Sequence, residues 1–206
     1  MSSFRVGVIA LETIGVLLLA GGAATAQEPP MDHSHHAAAA AKPSPFVRSQ
    51  HEYSVPEATL RDQAGRPFPM SELLGASGPV AVNFIFTTCT TICPVMTATF
   101  AQLGRELGPD ADRVRLVSIT IDPEHDTPAV LAEYATRFGA KPGWSFLTGS
   151  PQDVERVLRA FDAWPGSKAS HRAVTLLRRP GEHGWVRLEG LGSGAALAEQ
   201  VRTVLQ

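Results

Sequence analysis

Apolar positions follow two rhythms along this chain. Residues 80–86, Val-Ala-Val-Asn-Phe-Ile-Phe, run almost without a polar break for the length of one strand, the pattern of a strand covered on both faces. Residues 114–121 repeat that pattern and 144–147 shorten it, while 173–177 and 185–189 flank a Pro180-Gly181 turn as an antiparallel pair. Between these runs the spacing turns helical. Met96, Phe100, Leu103 and Leu107 fall on one face of a helix opened by Pro94 and stopped at Gly108-Pro109. Val130, Leu131, Tyr134 and Phe138 follow a Thr127-Pro128 cap and end at Gly139; Val154, Val157, Leu158 and Phe161 follow Ser150-Pro151. Leu197, Val201, Val204 and Leu205 mark a last helix. Upstream, residues 53–60 and the turn Asp62-Gln63-Ala64-Gly65 predict an opening hairpin, followed by a short helical turn at 71–74.

The resulting order is βαβα, a further βα, then ββα. That is an α/β protein with a thioredoxin-like fold, preceded by an N-terminal β-hairpin and carrying an inserted strand-helix unit. No internal repeat is present.

The first 45 residues have neither rhythm. Residues 1–26 hold Arg5, an apolar stretch centred on Leu17, Leu18 and Leu19, and a closing Ala24-Thr25-Ala26, which read as a secretory signal peptide with a small-x-small cleavage site. The rival is an uncleaved membrane anchor. Val6 to Ala26 is 21 residues, long enough to span, but Glu12 would cost about 2.5 to 3.5 kcal/mol inside such a helix. Either reading exports the chain, to the periplasm or the outer face of the inner membrane. Residues 27–45 form a flexible linker containing Met31, His33, His35, His36 and five alanines. The histidines are either a solvated cluster in a tether or a loose auxiliary copper site, since three imidazoles and a thioether lie within six residues. Residues 46–206 are the folded domain.

Composition removes several alternatives. With 206 residues, 44% hydrophobic and 18% charged, 18 Lys+Arg against 20 Asp+Glu and a net charge of −2, the chain is neither a polycationic nucleic-acid binder nor a disordered polyampholyte. Its two cysteines, Cys89 and Cys93, are too few for a disulfide scaffold and close enough to act on one object.

Those cysteines lie between the first strand and its helix. If Pro94 is the first helical residue, Cys93 takes the N-cap, where free N–H groups stabilise a thiolate. A structural disulfide here would close only five residues, worth about 2 kcal/mol, so a redox or metal role is the stronger reading. Two thiolates plus one imidazole suit Cu(I), whereas zinc normally takes four ligands. His171, in a polar loop just before a late strand, is the candidate third ligand; by position alone it is equally a surface residue.

Three ordered motifs together carry a resemblance. Phe84-x-Phe86-Thr87-x-Cys89-x-x-x-Cys93-Pro94, Ser118-Ile119-Thr120-Ile121-Asp122-Pro123-Glu124-His125-Asp126-Thr127-Pro128, and His171 before a late strand resemble the Sco/SenC family of thioredoxin-like copper chaperones, from Tyr53 to the C-terminus. The resemblance implies a copper site of Cys89, Cys93 and His171, holding Cu(I) with Cu(II) as a second state, and delivery to the copper-accepting subunit of a respiratory oxidase. A copper donor or a thiol reductant would be further partners. Asp122 is read as a charge beside the site, Asp126 as structural and His125 as a turn residue. Two departures stand out: Ser170 replaces an Asp common before the histidine, and Thr90 a common proline.

A thiol-disulfide oxidoreductase using Cys89 and Cys93 is the competing function. Against it, the pair is Cys-x-x-x-Cys, and the approach to the late strand reads His171-Arg172-Ala173 where such enzymes usually carry a cis-proline. A peroxidase reading fails because Phe86 occupies the place of the required proline.

Overall fold

The computed structural model describes residues 44–205, apart from 74 and 77. The chain divides into a first unit, Met1–Ala41, outside the described residues, and a second, Lys42–Gln206, that holds every element below. The signal and the Met31, His33, His35 and His36 cluster therefore lie outside the described residues. Among the described residues no helix is long and apolar enough to cross a membrane.

The sheet is built around β4 (Val80–Ile85), buried at all six positions as its unbroken apolar run predicts. Parallel to it runs β5 (Arg115–Thr120), and beyond that β6 (Trp144–Leu147). On the other side β7 (Val174–Arg178) pairs antiparallel with β4, β8 (Gly184–Glu189) with β7, and β1 (Val47–Glu52) with β8. The order β1-β8-β7-β4-β5-β6 contains the thioredoxin-like arrangement, widened by β6 on one edge and β1 on the other.

Four helices connect these strands: α1 (Ile92–Leu107), α2 (Pro128–Arg137), α3 (Pro151–Ala160) and α4 (Gly194–Leu205). Caps expected from sequence are formed at two of them. Thr127 Oγ1 accepts from the Val130 amide and Ser150 Oγ from the Asp153 amide. Phe100, Leu103, Leu131, Tyr134, Leu197 and Val201 join α1, α2 and α4 in one buried cluster, and Val154, Val157, Leu158 and Phe161 of α3 join Leu60 and Phe68 in the other. Gly78, just before β4, has no alternative residue: a Cβ there would sit 1.8 Å from the Arg113 carbonyl oxygen.

The opening segment differs from its expected form. The hairpin exists, but it is β2 (Thr59–Arg61) with β3 (Pro67–Pro69), and residues 53–58 are not strand. Asp62 closes its turn by accepting from the Ala64 and Arg66 amides and the Arg66 guanidinium. β1 escaped the sequence reading because Val-Arg-Ser-Gln-His-Glu is largely exposed and has no apolar alternation. It is held by backbone pairing with β8 along all six of its residues. The helical turn expected at 71–74 is a 3₁₀ turn at Met70–Leu73.

Candidate metal centre

β4 ends by delivering Phe86 into a tight turn, in which the Cys89 amide donates to the Phe86 carbonyl at 3.2 Å. α1 begins at Ile92, earlier than Pro94 suggested, so Cys93 lies inside the first turn and Thr91 holds the cap position without a side-chain cap bond. The sulfur of Cys89 fills that role. The Cys93 amide donates to Cys89 Sγ at 3.4 Å, satisfying one of the bare N–H groups that every helix start leaves. Both cysteines are free thiols, Cys89 9% and Cys93 0% exposed. The two sulfurs therefore sit just under the surface.

His171 reaches this pair from the segment leading into β7, the strand next to β4. β7 runs antiparallel to β4, so the residues entering β7 meet those leaving β4. Cys93 Sγ lies 3.6 Å from His171 Nδ1, and the half-buried imidazole stands edge-on to Phe86, ring centres 5.7 Å apart. Among the described residues no three His, Cys, Asp or Glu side chains form a finished metal cage. Cys93 bridges the other two donors, and Cys89 Sγ also contacts Thr91 Oγ1 at 3.6 Å.

The two thiols are unlike electrostatically. Burial pushes Cys89 upward, but hydrogen bonds from Cys93 and Thr91 outweigh it and bring the thiol below its ordinary 9.0. At Cys93 burial and its bond to Cys89 act together, with the carboxylate of Asp126 adding to them, and the thiol is held well above that value. Burial lowers His171 from 6.5, partly offset by the Phe84 backbone. The donor set is thus a neutral imidazole, a thiol inclined to ionise and a thiol inclined to keep its proton. Below it, Thr97 donates to the Cys93 carbonyl at 2.8 Å and pairs with Tyr134, whose phenol burial pushes up to about 12.

Two carboxylates organise the loops. Asp126, fully buried, accepts from the Thr87 amide at 3.2 and 3.3 Å and from the Thr87 and Thr120 hydroxyls, each at 2.5 Å, tying the start of the cysteine turn to the end of β5. Asp122, its side chain 5% exposed, receives Lys168 Nζ at 2.5 Å. Lys168 opens the 3₁₀ turn Lys168–Ser170 that leads into His171, so Asp122 acts on the histidine loop and not on the sulfurs. Ser170 pairs with Ser167 at 3.0 Å, and His125 is exposed, as expected of a turn residue. Sequence reasoning missed the reach of Asp126 and the part of Lys168. The only available signal was the Asp-x-x-x-Asp spacing after a buried strand.

The family model described as SCO1/SenC matches residues 48–205. The chain belongs to the SCO1/SenC family. Among relatives, the SCO1 protein homolog of Bacillus subtilis (strain 168) is 34% identical over 120 residues, 57% of this chain and 61% of that protein. The mitochondrial SCO2 homolog of Mus musculus is 35% identical over 105 residues, 50% of this chain and 40% of that one. The chain thus spans only about half the length of these curated relatives. Among solved structures, BsSco, described as a member of the Sco family of cytochrome c oxidase assembly proteins, superposes with a TM-score of 0.63 at 27% identity, covering 77% of this chain and 96% of that one. Arabidopsis thaliana ScoI with copper bound gives 0.60 at 25% identity, covering 73% and 97%.

Proposed function

We propose that this chain is a copper metallochaperone that carries Cu(I) on Cys89, Cys93 and His171 and passes it to the copper-accepting subunit of a respiratory oxidase. The observation that carries the reading is the approach of Cys93 Sγ to His171 Nδ1 at 3.6 Å, with Cys89 Sγ against the Cys93 amide. Two sulfurs and one neutral nitrogen in a desolvated pocket are a soft, low-coordinate donor set, which favours Cu(I) over harder ions. Cys89, the more exposed and more readily ionised thiol, is the natural point of first contact for incoming copper and for the acceptor's own thiolate. Cys93, under the surface, closes the site by giving up its proton. Transfer is then a stepwise exchange of ligands, with Cys89 yielding first.

The copper-bound Arabidopsis relative supports copper as the cargo, and the family description of BsSco supports an oxidase acceptor. Residues 1–26 support an exported location, periplasmic or on the outer face of the inner membrane, which cell fractionation would check. The deciding experiment is anaerobic Cu(I) competition against a chelator, on reduced full-length protein with His33, His35 and His36 replaced by Ala. One tightly held copper, weakened at least a hundredfold by each of Cys89→Ala, Cys93→Ala and His171→Ala, is expected. Unchanged affinity in His171→Ala would sink the three-ligand site.

The asymmetry of the thiols supports a second reading, a thiol-disulfide oxidoreductase in which ionised Cys89 attacks a partner disulfide and Cys93 resolves the mixed disulfide. In that case His171→Ala would leave disulfide reduction intact while Cys89→Ala abolished it.

A further inference from the structure

The six-stranded sheet has two edges, and they are finished differently. At β6 the Gln63 carboxamide donates to the Trp144 carbonyl at 3.0 Å and accepts from the Phe146 amide at 2.8 Å. Just beyond, Arg61 and Thr148 exchange both backbone hydrogen bonds, at 2.7 and 2.9 Å. That edge is closed. At β1 every residue from Val47 to Glu52 pairs with β8, and among the described residues no backbone pairs with its outer side. Five of its six residues are exposed, Val47 at 73%. An antiparallel ladder engages the N–H and C=O of every second residue, so the remaining half of β1 turns outward as a template for another strand.

Charged side chains commonly guard such an edge. Those of β1 have opposite signs, Arg48 and Glu52, and neither has an ion-pair partner among the described residues. Their spacing suits a second copy of the same strand. Residues opposed in an antiparallel pair must both face the ladder or both face away, so a two-fold axis between two copies of β1 passes through residue 49, 50 or 51. Centred on Ser49, Arg48 opposes Gln50; centred on His51, Gln50 opposes Glu52. Centred on Gln50, the whole strand is used and Arg48 of each copy opposes Glu52 of the other, a favourable cross-strand pair made twice.

We propose that β1 is the docking edge for a second copy of this chain, which joins antiparallel about Gln50 so that one continuous sheet crosses the pair. Two Arg48–Glu52 bridges fix the register. One six-residue strand from each copy makes a small interface, so the association is weak and salt-dependent. Both copper sites stay free. Val47 and Val174 both oppose Glu189, so β1 starts at the end of the sheet where His171 enters, and antiparallel pairing points those ends of the two copies in opposite directions. The proposal therefore stands apart from the copper reading.

The test is sedimentation of reduced full-length protein from about 5 to 500 µM, in about 20 mM and about 500 mM salt. Hydrogen exchange of the β1 amides is read at both ends of the concentration range. Expected is a monomer–dimer equilibrium, about tenfold weaker in high salt, with slower exchange of the outward-facing β1 amides as concentration rises. Arg48→Glu and Glu52→Arg should each lose the dimer, because like charges then oppose one another. Mixed in equal amounts, the two variants should pair with each other, since both bridges are restored between unlike copies. Arg48→Glu and Glu52→Arg combined in one chain should dimerise as the wild type does. Both side chains are exposed, so the variants should fold, and their copper affinity should match that of the wild type. β1 amides that exchange at the same rate at every concentration overturn the proposal, whatever other association is seen. So does a dimer that both single variants leave intact.

Discussion

Cys93 Sγ and His171 Nδ1 lie 3.6 Å apart although 78 residues separate them in the chain. The contact follows from strand direction: β4 leads out to Cys93 and β7 leads in from His171, and the two are antiparallel neighbours. Donors of different softness and different proton affinity therefore meet just beyond the end of β4, beside the segment that leads into β7.

Copper binding should release protons from the thiols and none from the imidazole. Burial keeps the Cys93 thiol protonated at neutral pH and His171 below 6.5, hence already neutral. Affinity is therefore expected to rise with pH between about pH 7 and 9, roughly tenfold per unit for each proton displaced. Calorimetry in two buffers of different ionisation heat would count the protons. A count of zero at neutral pH would remove Cys93 from the ligand set.

Metal-free stability should fall at both ends of the pH range for separate reasons. The folded pKa of His171 is below its unfolded 6.5, so the unfolded chain binds the extra proton and stability is lost as pH falls below about 6.5. For Cys93 the folded pKa lies above the unfolded 9.0, so the native state keeps a proton that the unfolded chain releases, and stability declines as pH rises beyond 9.0. Urea denaturation across pH should show His171→Gln flattening the acid limb and Cys93→Ala the alkaline one. Each substitution should leave the opposite limb alone.

Asp126→Asn should loosen the cysteine turn. Its carboxylate accepts from Thr87 and Thr120, and an amide presents a donor where one of these groups already donates. A lost hydrogen bond to a buried charge is worth about 1.5 to 3 kcal/mol. Hydrogen exchange should locate the effect at the Thr87 amide and the turn after it. Uniform loosening of the whole domain would show Asp126 to be an ordinary core residue.

Lys168→Met should release the turn that carries His171. Asp122 is nearly buried but Lys168 is 54% exposed, so solvent screens the pair and its loss should cost only about 1 to 2 kcal/mol. The informative readout is copper affinity: weaker in Lys168→Met, regained in Lys168→Arg, and in wild type falling with added salt. Unchanged affinity in Lys168→Met, together with a wild-type affinity that does not respond to salt, would confine Lys168 to the surface.

Much of the fold was legible because local rules govern it. The apolar run of β4 can only be a covered strand, and Thr127-Pro128 and Ser150-Pro151 announce helix starts through chemistry contained in adjacent residues. Where a local rule was applied to a non-local feature it slipped. Pro94 suggested the start of α1, yet the helix begins at Ile92 because Cys89 Sγ, from outside the helix, accepts the Cys93 amide. β1 left no trace in its own pattern, since its stability comes from the edge of β8.

The sequence alone determined which donors exist, which strand and helix carry the cysteines, and the motifs that mark the family. Tertiary structure alone decided that His171, a candidate from the motifs, lies against Cys93, that Cys93 is fully buried while Cys89 keeps 9% exposure, and that Asp126 and Lys168 stand behind the site. The reason is physical: a helix cap or a covered strand depends on neighbours in sequence, whereas burial, proton affinity and the meeting of β4 with β7 depend on neighbours in space, set by the order and direction of strands.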